Sequence, residues 1–106
     1  MKFLIQATYT PEGIHGLKKD GASGRQRIVS NAITALGGKL DSIHWSFGHD
    51  DVTVIAELPT NANAAALALT INGSGTVRTR TTPLLTAEEV DQALKHTVDY
   101  KAPGKA

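Results

Sequence analysis

Residues 37–59, GGKLDSIHWSFGHDDVTVIAELP, decide the fold. Two glycines open the stretch and Pro59 closes it, so neither end continues a regular element. Between them, apolar side chains recur at every second position. Ile43, Trp45 and Phe47 form one set, and Val52, Val54, Ala56 and Leu58 form another. A period of two is the signature of a half-buried β-strand. The pattern predicts two strands, KLDSIHWSFG and DVTVIAELP, joined at Gly48-His49-Asp50. Gly48 would supply the positive φ that a tight hairpin often demands. The opposite faces carry Ser42, His44 and Ser46 on one strand, and Asp51, Thr53, Ile55 and Glu57 on the other. A bulge near Trp45 would exchange the two faces locally.

Working outward, Phe3, Ile5 and Ala7 alternate with Leu4, Gln6 and Thr8 in a strand that ends at Thr10-Pro11. PEGIHGLKKDGA follows. Its three glycines predict an irregular loop with one helical turn, and such a loop around His15 could serve as a lid. Ser23 reads as the N-cap of a helix whose apolar face is Ile28, Val29, Ala32, Ile33 and Leu36, stopped by Gly37-Gly38. Arg25 and Arg27 at that helix start oppose its dipole, which predicts an acidic partner for one of them. Beyond Pro59, Asn61 opens an alanine-rich helix with Ala64, Leu67, Ala68 and Ile71 on one face. TVRTRTT is a β-branched strand that sets Val77, Thr79 and Thr81 against Arg78 and Arg80. Thr86-Ala87-Glu88-Glu89 has the form of a helix start, with Val90, Ala93, Leu94 and Val98 as its apolar face. A single domain over residues 1–100 and a flexible tail over 101–106 are expected.

The order β-α-β-β-α-β plus a helix is the ferredoxin-like α+β arrangement. Two helices cover one face of a four-stranded sheet. The other face mixes Leu4, Ile55 and threonines with Gln6, His44, Glu57, Arg78 and Arg80. It is too polar for a dry core and too apolar for a wholly solvated surface. Two such sheets packed face to face would enclose a partly polar cavity.

Composition excludes several function classes. The chain has 106 residues, 41% of them hydrophobic, and a net charge of +1 from 11 basic and 10 acidic side chains. So even a balance argues against a nucleic-acid binder. There is no cysteine, which removes disulfides, thiolate metal sites and cysteine nucleophiles. No apolar run approaches the roughly 20 residues that span a bilayer, and MKFLIQATYT is too short and alternating for a signal peptide. A cytoplasmic location without membrane association is the expectation. No phosphate loop, nucleophile elbow or HExxH is present, and no cofactor is expected.

Three groups of residues could carry chemistry. His49, Asp50 and Asp51 could bind metal or exchange protons. Adjacent strand residues point apart, however, and Asp favours turns, so the hairpin reading is preferred and no metal is expected. Asp51 could still cap the rim of the barrel that two such face-to-face sheets would form. Arg78 and Arg80 lie two apart and share a face. They form either an anion clamp or ion pairs with Glu57 or Asp51. His44 is either a general base facing the cavity or, preferably, a hydrogen-bonded interior histidine.

Together, FLIQATYTPEGIHGL, GGKLDSIHWSFGHDDVTVIAELP, NANAAALALTINGSGTVRTRTTPLLT and the acidic–apolar helix after them resemble the GYD-domain family over nearly the whole chain. The resemblance implies kinship with dimeric α+β barrel proteins, whose ferredoxin-like subunits put their sheets face to face. In the family's glycine–tyrosine–aspartate signature, Gly48 matches the glycine and Asp51 the aspartate, while Asp50 stands in the tyrosine's place. The family has no established common reaction, so no catalytic residue carries over. The favoured expectation is a homodimer or higher oligomer that binds a polar or anionic small molecule through Gln6, Thr8, His44, Glu57, Arg78 and Arg80. The alternatives are a cofactor-independent barrel enzyme (oxygenase, isomerase or decarboxylase) with His44 as base and Arg80 orienting substrate, and a face that serves assembly alone.

Overall fold

In the computed structural model, which describes residues 1–105, the first strand of the sequence lies inside the sheet. β1 (Lys2–Tyr9) pairs antiparallel with β3 (Val52–Glu57) on one side and β4 (Val77–Leu84) on the other. β2 (Lys39–Trp45) flanks β3, so the order is β2-β3-β1-β4. With α1 (Pro11–Ala35), α2 (Asn61–Gly73) and α3 (Ala87–Leu94), the element order is the one expected from sequence. The fold is α+β, with an antiparallel sheet of 4 strands and a topology consistent with the ferredoxin-like class.

The core follows the alternation. Phe3, Ile5 and Ala7 of β1 and Val52, Val54 and Ala56 of β3 are buried beneath Ile33 of α1 and Ala64 and Leu67 of α2. Burying a side chain the size of Ile33 contributes about 1.5–3 kcal/mol. α1 lies over β2 and β1, and α2 over β4. Ile43 and Trp45 pack on this core as expected. The bulge is not near Trp45 but between Leu40 and Ser42, where Asp41 is the extra residue.

The glycine-rich stretch after β1 is helix, not loop. Thr10, rather than Ser23, caps α1. Its side chain accepts from the Gly13 N–H at 3.2 Å and donates to the Gly75 carbonyl at 3.0 Å. Pro11 fits the first helical turn, where its missing N–H costs nothing. The break falls at Gly21, whose φ of 74° divides α1 into two helical segments. The second segment ends as expected: Gly37 takes a φ of 82°, and the Gly38 N–H reaches back to the Ile33 carbonyl at 3.0 Å. Ile28, expected on the apolar face, is 48% exposed.

α3 has the capping box read from sequence, Thr86 with Glu89. It ends before Val98, and residues 85–101 are all exposed. The radius of gyration is 17.2 Å and the longest extent 59 Å, against a radius of about 13 Å for a compact chain of similar size. The expected tail begins at Lys101, and its last residue, 106, lies outside the described residues. Among the described residues, no helix is long and apolar enough to cross a membrane.

The glycines of α1 act differently from one another. A Cβ at Gly13 would collide with the Thr76 carbonyl, whereas one at Gly16 would meet nothing within 4 Å. Gly13→Ala should therefore destabilise the fold by about 1–3 kcal/mol through overpacking. Gly16→Ala should stabilise it by about 0.5–1 kcal/mol through helix propensity. Urea unfolding of the two variants checks both signs.

Candidate functional site

Among the described residues, no helix covers the second face of the sheet. Register arranges its side chains in rows. Ser42, Ile55, Leu4 and Thr82 form one row, and His44, Thr53, Gln6 and Arg80 the next. Thr8 and Arg78 are paired beyond them, and Lys39, Glu57, Lys2 and Leu84 lie at the far end. Leu4 and Ile55, at the centre, are only partly buried.

The loop from Ser46 to Asp51 folds a carboxylate onto this face. Phe47, not Gly48, takes the positive φ, at 50°, and its ring is 58% exposed rather than packed beside Ile43 and Trp45. A left-handed phenylalanine is strained, and the surrounding bonds hold it. The Asp50 carbonyl accepts from the Gly48 N–H at 3.0 Å and the Ser46 hydroxyl at 2.8 Å. The Ser46 N–H donates to the Asp51 carbonyl at 2.9 Å, and the Asp51 N–H to the Ala7 carbonyl at 2.8 Å.

With its backbone fixed, Asp50 collects donors from the sheet. Arg80 Nη2 lies 2.6 Å from Oδ2, Gln6 Nε2 donates to Oδ2 at 3.3 Å, and the Thr8 hydroxyl donates to Oδ1 at 3.4 Å. His49 Nδ1 lies 3.5 Å from the same Oδ2. The Asp50 side chain is only 11% exposed. Partial burial alone would push this carboxyl up, but the His49 hydrogen bond and the Arg80 charge outweigh it and hold the pKa below its ordinary value. The two aspartates diverge as their adjacency requires. Asp51 Oδ2 accepts the Tyr9 N–H at 2.9 Å and ties the loop to the end of β1.

The residues singled out from sequence thus separate into groups. Gln6, Thr8, His49, Asp50 and Arg80 converge. Arg80 pairs with Asp50, not with Glu57 or Asp51. Glu57 sits at the other end of the sheet, where Lys2 reaches it at 3.7 Å and Asp41 at 3.1 Å. The Asp41 hydrogen bond and charge raise the Lys2 pKa above its usual value. Arg78 and His44 are both exposed, and neither has an ion pair or side-chain hydrogen bond among the described residues. Arg25 has the acidic partner its helix position predicts, Asp20 at 3.6 Å. Among the described residues, no three His, Asp or Glu side chains are gathered as metal ligands. Asp50 as the centre of the cluster escapes sequence reasoning. The only available signal was its occupation of a signature position.

The family model for the GYD domain matches residues 3–94. No curated protein and no solved structure matches the chain.

Because the folded-state pKa of Asp50 is depressed, its charged form adds stability above the ordinary carboxylate value of 3.8, and that stability is lost as pH falls through the folded value. Asp50→Asn should lower the melting temperature at pH 7, with the gap to wild type closing in acid below pH 3.8. Melting curves across pH check this. At pH 7, Arg80→Ala should lower the melting temperature more than Arg78→Ala, because only Arg80 has a partner to lose.

Proposed function

This chain belongs to the GYD domain family, and from that membership and its uncovered sheet face we propose a homo-oligomeric module that holds a polar or anionic small molecule between two such faces. The observation that carries the reading is the placement of Arg78. It is an arginine with no partner among the described residues, two positions from the Asp50–Arg80 pair, on a face whose centre is Leu4 and Ile55. An unsatisfied guanidinium presents a rigid donor fork that suits carboxylate or phosphate. A central apolar pair with a polar border favours burial against a second surface.

The C-terminal segment supports association independently. Leu85, Leu94, Val98 and Tyr100 are 66%, 76%, 77% and 71% exposed. Side chains of this size gain free energy on leaving water, at roughly 25 cal/mol per Å². α3 itself has no buried residue. A second reading, catalysis by His44, is favoured by its place in the row of Gln6 and Arg80. A ligand on Arg80 would lie along that row. Turnover of a bound ligand that is lost in His44→Ala while binding persists would establish it.

Sedimentation velocity at micromolar concentration should give a dimer or larger species, and Ile55→Glu should shift it toward monomer. A thermal-shift screen of small carboxylates and phosphates should give hits that raise the melting temperature and that disappear in Arg78→Ala. A wild-type monomer with no hits would overturn the proposal.

A further inference from the structure

β4 is an edge strand. It pairs with β1 on one side, and among the described residues no strand pairs with the other. A free edge offers a row of backbone donors and acceptors onto which a strand of another chain can add. In an antiparallel ladder, alternate residues turn those groups toward the partner strand and away from it. The Thr79 N–H donates to Asn72 Oδ1 at 2.7 Å, so Thr79 faces outward. By the same alternation Val77, Thr81 and Pro83 face outward as well.

This edge is poor in donors. The Thr79 N–H is taken, and Asn72 Nδ2 donates to the Thr79 hydroxyl at 3.0 Å, so one side-chain amide clasps the residue twice. Pro83 has no N–H to give. Between them Thr81 keeps its N–H. Arg78 and Arg80 are exposed on the strand and would repel the same arginines of a second β4. Asn72, at the end of α2, reaches Thr79 because the turn between them is held. Gly75 takes a φ of 76°, and the Ser74 hydroxyl donates to the Ile71 carbonyl at 2.7 Å and lies 2.8 Å from the Thr76 hydroxyl. The opposite edge of the sheet, β2, is interrupted by the bulge at Asp41.

We propose that Asn72 closes the β4 edge to a second copy of this chain, and so confines association to surfaces other than the sheet edges. The clasp occupies the central outward donor, which a strand docking in register would need. This inference concerns the edge and not the open face, and it holds whether or not two open faces meet.

Sedimentation velocity and amide exchange by NMR, over a range of protein concentrations, test it on wild type, Asn72→Ala and Asn72→Asp. High salt screens the arginines. In wild type the Thr79 amide should be protected and the Thr81 amide should exchange freely, both independently of concentration. Asn72→Ala should form a species larger than wild type as concentration rises, and its Thr79 and Thr81 amides should become about tenfold more protected with it. Asn72→Asp keeps an oxygen for the Thr79 N–H and should behave as wild type does. Loss of the fold cannot imitate this result, because it frees the amides of β1 and protects none at the edge. Adding Ile55→Glu to Asn72→Ala should leave the Thr81 protection in place, so failure of the open face and failure of the closed edge are read separately. Asn72→Ala that keeps the wild-type size overturns the proposal, as do larger species that leave Thr81 unprotected. So does Asn72→Asp that associates like Asn72→Ala, loss of the Thr81 protection on adding Ile55→Glu, or Thr81 protection that grows with concentration in wild type.

Discussion

A strand has two faces, and the central strand of this sheet spends them on opposite purposes. Phe3, Ile5 and Ala7 point into the core, while Leu4, Gln6 and Thr8 point away from it. Because β1 pairs on both edges, its alternation sets the register of its neighbours, and a slip by one residue would put Gln6 beneath the helices. Everything else is arranged around that division. The helices seal one side, and the Ser46–Asp51 loop reaches over the other. Asp51 anchors the loop to the Tyr9 backbone, and Asp50 then meets Gln6 and Thr8 of the same strand.

The chemistry of Asp50 suits it to this geometry. A phenol offers one oxygen, while a carboxylate offers two and carries a full charge. Here one carboxylate oxygen serves Arg80 and Gln6 and the other serves Thr8. A tyrosine at this position could not accept all three. Asp50 is thus a charged node of this face, and Arg80 is held in place by it. Arg78 is left without a side-chain partner among the described residues.

Strand positions, the face of α2 and the helix at Thr86 were legible in the sequence because each rests on local periodicity or capping. The first helix was not, because Gly13, Gly16, Gly21 and Gly24 outweigh the propensities around them. Gly13 is small because the Thr76 carbonyl passes against it, a contact 63 residues away that no local window contains. The Asp50 cluster was hidden for the same reason: Arg80 and Gln6 lie 30 and 44 residues from it. The individual members of the face, including Gln6, Thr8 and Arg80, were readable from alternation alone. What joins them depends on the conformation of the loop. A left-handed phenylalanine beside an ordinary glycine runs against the usual preference for glycine at such positions.

The strand order also bears on how the chain acquires its structure. β1 is made before both of its partners, β3 and β4, which α1, β2 and, for β4, α2 separate from it in sequence. β2 and β3 can form their hairpin early, since they are close in sequence. β1 must wait for both neighbours, and β4 is the last strand made. Pairings this distant in sequence favour slow, late closure. Until then the alternating apolar residues of β1 have no sheet to join. During synthesis this domain is therefore most exposed to misassociation at β1, and a chaperone would act there with most effect.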